Sequence, residues 1–268
     1  MKSKSIIWIT SIALIELFTL TLYSCSDDED EVLPDEKVLD IDGNEYKTVK
    51  IGDQIWMAEN LRVSRYNNGD DIPTDLSDDN WENTTEGAYA IFDHNHENAD
   101  GIDSPEEMVT AYEKLYNWYA VDDERGLCPE GWSVPSDDDW TQLVDYVVDQ
   151  KYPNESDNPD GAGNALKSCR QVDSPEGDDC NTPEHPRWDS DDTHHGFDEF
   201  GFSALPGGVR NTAGSFYSLG ASGFWWSSTE YSSSFAWYRL VYRSYGNVRR
   251  YYGDKAYGFS LRCVRVID

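Results

Sequence analysis

Apolar side chains at Trp140, Leu143, Val144, Val147 and Val148 recur at i, i+3, i+4, i+7 and i+8, which places them on one face of a helix. Ser136 stands where that helix begins, and Asp137, Asp138 and Asp139 fill its first turn, where the helix dipole favours negative charge. Pro129 and Pro135 cannot donate ladder hydrogen bonds, so the approach to the helix is an irregular corner. Before it, Val49 and Ile51 alternate with Lys50, Gly52-Asp53 makes a turn, and Ile55 and Trp56 begin the return strand of a hairpin. Residues 64–87 read as loop, with only Ile72, Leu76 and Trp81 as apolar markers, and residues 88–92 read as a strand. Ser104-Pro105-Glu106-Glu107 is a helix-start signature, and Met108, Leu115, Trp118 and Tyr119 extend that helix.

After the central helix, residues 150–196 show almost no periodicity and read as an acidic excursion. The last third is β-structure. It has strands at 200–205 and 223–229, then a hairpin pairing 235–243 with 248–252 around Tyr245-Gly246-Asn247. In the last strand Tyr257, Phe259, Leu261 and Cys263 point one way and Gly258, Ser260 and Arg262 the other, an alternation that predicts one buried face. Two helices packed on an antiparallel sheet, with long irregular loops, make an α+β domain.

The formal charge of −31 excludes nucleic acid as a partner, because its phosphates would be repelled. That charge is uneven: 49 of the 52 acidic side chains precede residue 201, whereas 8 of the 21 Lys and Arg follow residue 200. Half of the 36 aromatics lie in residues 197–268, so the C-terminal region is rich in Tyr, Trp and Arg.

Asp93, Asn95 and Glu97 alternate as in a calcium loop, but the glycine comes late and Ser104 stands where the closing glutamate belongs. We therefore assign no metal or other cofactor, with calcium at this loop the sole candidate. The histidines at 94, 96, 185, 194 and 195 all lie in acidic loops, and no Gly-x-Ser-x-Gly occurs. Acidic pairs such as Asp198 and Glu199 are too common in this chain to mark a glycosidase. Asn158-Pro159-Asp160 has part of the look of a calcium-dependent sugar site but lacks its partner motif. No catalytic residue is assigned, and the chain is expected not to be an enzyme.

Residues 1–24 read as an export signal with Lys2 and Lys4 ahead of an apolar run, and should be excluded from the fold. Leu22-Tyr23-Ser24-Cys25 resembles the lipobox of bacterial lipoproteins, which implies lipidation at Cys25 and a membrane partner through the lipid. Ser26-Asp27-Asp28-Glu29-Asp30 resembles the acidic signal that sends Bacteroidetes lipoproteins to the outer face of the outer membrane. Residues 25–45 are then an acidic tether, and residues 46–268 the folded domain. Cys128, Cys169, Cys180 and Cys263 remain, and an even count in an exported chain implies disulfides. Three connectivities are open. We expect Cys128–Cys263 with Cys169–Cys180, since the latter pair are close in sequence within one loop.

Six segments resemble the Fibrobacter succinogenes major paralogous domain (FISUMP) in order. These are residues 51–61 (IGDQIWMAENL), 115–120 (LYNWYA), 128–132 (CPEGW), 205–210 (LPGGVR), 224–229 (FWWSST) and 260–265 (SLRCVR). Departures are acidic insertions at about 94–107 and 150–196, and Glu113-Lys114 where a glycine is usual. The resemblance implies a C-type-lectin-like α+β domain whose ends meet, and it carries no settled activity. The expected function is a surface-exposed, outer-membrane lipoprotein acting as a non-catalytic binding or adhesion module for a glycan or a protein. The alternatives are a structural subunit of a cell-surface assembly, or an enzyme related to formylglycine-generating oxidases. Those oxidases use two nearby late cysteines, and only Cys263 is late here.

Alternation along 235–243 places Phe235, Trp237, Arg239, Val241 and Arg243 on one side, and a solvent-facing side should carry the charge. The ligand-binding candidates are accordingly Trp237, Arg239, Arg243 and Tyr245, with Arg249 and Arg250 across the turn. The opposing expectation is that these arginines pair with the chain's own acidic loops, for instance Asp189 to Asp192.

Overall fold

The computed structural model describes residues 37–267, so Cys25, the export signal and the first part of the tether lie outside the described residues. The fold begins earlier than position 46. β1 (Val38–Leu39) pairs with β2 (Glu45–Tyr46), and Val38 is buried in the core. The Asp40 carboxylate closes their turn by accepting from the Asp42 and Asn44 amides and the Tyr46 hydroxyl. These contacts take residues 38–45 out of the tether and into the domain.

The hairpin read at 49–56 is present as β3 (Thr48–Ile51) and β4 (Gln54–Met57), and β12 (Val264–Val266) adds to the other edge of β4. A late strand and an early hairpin of the domain therefore share one sheet. The 64–87 stretch is mostly loop, but α1 (Asp78–Asn83) interrupts it and fully buries Trp81. β5 (Tyr89–Ala90) pairs with β6 (Leu115–Tyr116). The helix expected from residue 104 through Tyr119 is in fact broken in two. α2 (Pro105–Tyr112) stops where Glu113 adopts φ 63°, the chain then forms β6, and α3 (Trp118–Val121) restarts behind the Asn117 cap. Burial of Leu115 and Tyr116 by β-pairing overrides the helical spacing.

α4 (Asp137–Asp149) has the expected cap: the Ser136 hydroxyl accepts from the Asp139 amide, and the Asp139 carboxylate accepts from the Ser136 amide. Trp140, Leu143, Val144 and Val147 are buried, whereas Val148, at the rim of the apolar stripe, stays exposed. The acidic excursion is not peripheral. It carries α5 (Ala162–Leu166), buried throughout, and its Trp188 is buried in the same cluster as Trp140 and Trp225. Lys167 pins it to the sheet by donating to Asn164 Oδ1 and to the carbonyls of His194, Arg243 and Tyr245 at 2.8–3.2 Å. Gly163 and Gly246 meet closely enough that a Cβ on Gly163 would lie 2.6 Å from the Asn247 carbonyl oxygen.

β7 (Gly207–Arg210) pairs with β8 (Phe216–Leu219), while the strand expected at 200–205 does not form. The main sheet orders β11 (Val248–Asp254), β10 (Phe235–Tyr242) and β9 (Ser222–Ser232), all antiparallel. Both faces of its middle are covered. Trp225, Val241 and Val248 join α4 and α5 on one side, and Trp226 and Ala236 join Phe259 and Leu261 on the other. The alternation at 257–263 likewise has no exposed side. Ser260 and Arg262 are buried along with Phe259, Leu261 and Cys263, and the Arg262 guanidinium donates to Asn60 and to the carbonyls of Met57, Phe202 and Ser203. Cys128–Cys263 ties the Pro-rich corner to the last strand, and Cys169–Cys180 closes the small loop.

Candidate functional site

The six candidate ligand residues do not form one site. Strand β10 separates them by about 3.3 Å per residue. Trp237, Arg239 and Arg250 gather at the start of α4, and Arg243, Tyr245 and Arg249 lie around the hairpin turn at the opposite end.

Asp137, the first residue of α4, organises the first group. Its Oδ1 accepts from Arg239 Nη1 at 2.5 Å, its backbone carbonyl accepts from Arg239 Nη2 at 2.9 Å, and its Oδ2 lies 2.7 Å from Arg250 Nη2. Burial pushes the Asp137 carboxyl up, and the hydrogen bonds from Arg250 and Arg239 outweigh it, holding the group below the usual carboxylate value. Arg239 is not the outward residue expected from alternation. It is 2 % exposed, because α4 covers that face of β10 and supplies the carboxylate that makes burial of a guanidinium tolerable. Arg239 is thereby withdrawn from any ligand-binding role. Arg250 stays half exposed, pairs with Asp137, and lies 3.4 Å from the centroid of Trp237.

Beyond the first residue of α4, the same face of the sheet is open and aromatic. Tyr231 and Tyr252 stack with centroids 4.1 Å apart at 9°, while Trp237 meets Tyr231 edge-on at 4.9 Å and Tyr252 at 5.8 Å. Phe235 packs edge-on against Tyr252 at 5.7 Å. Tyr252 is 50 % exposed and Tyr231 47 %. Tyr231 reaches this position because the β9–β10 register shifts between Phe235 and Tyr238, and a bulge of this kind re-aims the side chains that follow it. The irregular part of β9 is fixed from below, since Ser228 N–H donates to the Pro135 carbonyl and Asp137 N–H to Thr229 Oγ1. On its rim, Glu230 receives Lys255, whose ammonium also lies 4.2 Å from the Trp118 ring.

The second group is engaged within the chain. Arg243 lies 3.4 Å from Asp189, so for this residue the pairing with the acidic excursion is realised. Arg249 covers the Tyr245 ring at 3.8 Å. Neither forms an open pocket with Trp237.

Of the remaining candidates, the Asp93 carboxylate accepts from the backbone and side-chain amides of Asn95, turning inward on its own loop. Among the described residues no group of three or more His, Cys, Asp or Glu is arranged to hold a metal. His185 hydrogen-bonds Tyr112 at 2.6 Å beside a cleft of about 490 Å³ that Glu107, Glu184 and Asp100 also line. Burial, helped by Arg187, lowers the His185 imidazole below its ordinary value. Cys263, the late cysteine, is consumed by its bond to Cys128.

Sequence reasoning missed Asp137 as a ligand to two arginines, and Tyr231, Phe235 and Tyr252 as one cluster. Asp137 looked like one of three interchangeable first-turn acids. The aromatic cluster depends on a bulge that leaves no mark in the alternation.

A family model described as the Fibrobacter succinogenes major domain matches residues 49–265. No curated protein and no solved structure matches the chain.

Proposed function

Because this chain belongs to the Fibrobacter succinogenes major domain family, whose model spans nearly all of the described fold, we propose that it is a non-catalytic binding module that presents the Tyr231–Trp237–Tyr252–Phe235 cluster to a glycan or protein ligand. The observation that carries this reading is the exposure of a preassembled aromatic cluster on a bulged sheet held rigidly by α4. Tyr and Trp supply large contact area with little side-chain entropy to lose, which is why they dominate binding hot spots. An exposed cluster of four rings serves no core, since Trp225, Trp226 and Phe259 already fill the two sides of the sheet.

The module is displayed, in this proposal, at the outer face of the outer membrane through a lipid on Cys25. The lipobox-like Leu22-Tyr23-Ser24-Cys25 and the acidic run behind it support this placement. No helix among the described residues is long and apolar enough to cross a membrane. The pairing of β12 with β4, which joins a late strand of the domain to an early one, supports a C-type-lectin-like arrangement.

The test uses the mature chain and a Tyr231→Ala/Trp237→Ala/Tyr252→Ala variant on a glycan array and in pulldown from cell-surface membranes. Binding by the parent and its loss in a variant with an unchanged thermal midpoint are expected. Equal retention by both proteins would remove the cluster from the function.

A further inference from the structure

The free edge of the main sheet is β11, and one end of that edge is already occupied. The Asn154 side chain docks on Val248 as a strand would: its Oδ1 accepts from Val248 N–H at 2.7 Å and its Nδ2 donates to the Val248 carbonyl at 3.1 Å. This fixes the direction of every peptide group in the strand. In an antiparallel pair, residues alternate between bonding the neighbour and pointing away. Val248 points away from β10, so Arg249, Tyr251 and Gly253 bond inward, opposite Leu240, Tyr238 and Ala236. Arg250 and Tyr252 then share the outward direction of Val248. Among the described residues, nothing meets their outward N–H and C=O groups.

These four peptide groups lie in the middle of a run, Arg250, Tyr251 and Tyr252, that is exposed on both sides of the strand. Beyond it the edge closes again, because the Asp254 carbonyl accepts from Tyr257 N–H. The opening is two residues long, flanked by a side-chain imitation of a strand at one end and a turn at the other. An open edge of this kind is a template for an added strand. Tyr252 and Trp237 stand on the same face as the side chains that such a strand would present alternately.

We infer that this edge takes an extended segment of a basic partner protein, paired through its backbone with Arg250 and Tyr252 and setting a β-branched or aromatic side chain beside Tyr252. The sign of the partner follows from charge. The chain carries −31, and around the opening Arg250 is held by Asp137 and Arg249 is folded over Tyr245, with the carboxylates of Asp138 and Asp254 nearby. A second copy would bring another −31 to the same edge and is disfavoured for that reason. The inference rests on the reading of the chain as a binding module and names the kind of partner its aromatic cluster serves.

The probe is the blocked heptapeptide Lys-Thr-Val-Thr-Tyr-Thr-Lys at millimolar concentration, with the mature chain. Slowed amide exchange at Arg250 and Tyr252, but not at Tyr251, is expected on addition of peptide. The same peptide with proline at its centre, or with glutamate in place of both lysines, should bind more weakly. Tyr252→Pro removes an outward N–H without breaking a rung to β10, and should weaken the peptide about tenfold relative to Tyr252→Ala. Should Tyr252→Pro fail to fold, the exchange measurement on the unaltered chain decides alone. Unslowed exchange at both amides overturns the inference, as does equal binding of the acidic peptide. Protection of these amides without peptide, together with a doubled mass in sedimentation, overturns it in favour of a second copy. If the Tyr231→Ala/Trp237→Ala/Tyr252→Ala variant loses surface binding while the peptide protects nothing, the binding module stands and the added strand falls.

Discussion

Arg239 Nη1 lies 2.5 Å from Asp137 Oδ1, joining the middle of the main sheet to the first residue of the helix that covers it. Arg239 is 2 % exposed, and its other terminal nitrogen is taken by the Asp137 carbonyl and Thr141 Oγ1. Removing the carboxylate leaves a buried cation without its counter-charge, which costs about 3–5 kcal/mol. Asp137→Ala should therefore lower stability by that amount in denaturant unfolding. Arg239→Met should cost clearly less, since it removes the buried charge instead of stranding it. Equal losses in the two variants would mean that the pair is not the tie between helix and sheet.

The same carboxylate gives an acid-side dependence. Its folded value is held below 3.8, so the unfolded chain takes up a proton at higher pH than the folded chain does. The stabilisation is present above the unfolded value and is lost as pH falls through the folded one. Thermal midpoints measured from pH 6 downward should fall less steeply in Asp137→Asn than in the parent chain.

Glu113 works in the opposite sense. Burial pushes its carboxyl up from 4.5 to about 8, against the nearby Arg262 and Arg62 charges, and one of its oxygens has no hydrogen-bond partner. Between those two values the folded chain holds a proton that the unfolded chain has released. The contribution is thus complete below 4.5 and fades as pH rises through 8. Glu113→Gln, which keeps the neutral shape, should flatten the decline in stability between pH 5 and 8. An unchanged slope in the variant would refute the assignment.

Cys128–Cys263 spans 135 residues and Cys169–Cys180 spans 11. In the chain-entropy model these lengths correspond to about 5 and about 3 kcal/mol. Replacing Cys128 and Cys263 together by alanine should lower the denaturation midpoint more than replacing Cys169 and Cys180. The reverse order would show that closing the long loop is not what dominates.

Lys167 is the hub of the acidic excursion. Desolvation pushes its amine down to about 7, yet four oxygen acceptors surround it. Lys167→Met keeps the volume and removes the donors, and each carbonyl left without a partner costs about 1–3 kcal/mol. Faster amide exchange is expected at residues 161–168 and around Gly246, with the aromatic cluster at Tyr231 and Tyr252 undisturbed. Uniform acceleration across the whole chain would instead make Lys167 a determinant of global folding.

What could be read from the sequence was local periodicity with a strong signal. The α4 stripe, the 48–57 hairpin, the β10–β11 hairpin and both disulfides stand where the pattern put them. Alternation reports which residues share a side, but not what lies over that side. That is why Arg239 and Arg262, read as outward, are buried beneath α4 and beside Asn60. Trp81 and Trp188 sit in stretches without periodicity, and their burial comes from distant segments folding over them. The aromatic cluster was half visible: Trp237 and Arg250 were named, but Tyr231 joins them only through the register shift in β9.

The pairing of β12 with β4 also dictates an order of events. Val264 lies opposite Trp56, and the carbonyls of Leu261 and Cys263 accept from Leu61 and Met57. The β3–β4 hairpin therefore waits for residues 264–266 before its sheet is complete. Contacts so far apart in sequence make folding slow, because the loop must close before the pairing rewards it. A chain emerging from its N-terminal end would hold β4 as an unsatisfied edge until residues 264–266 arrived to pair with it.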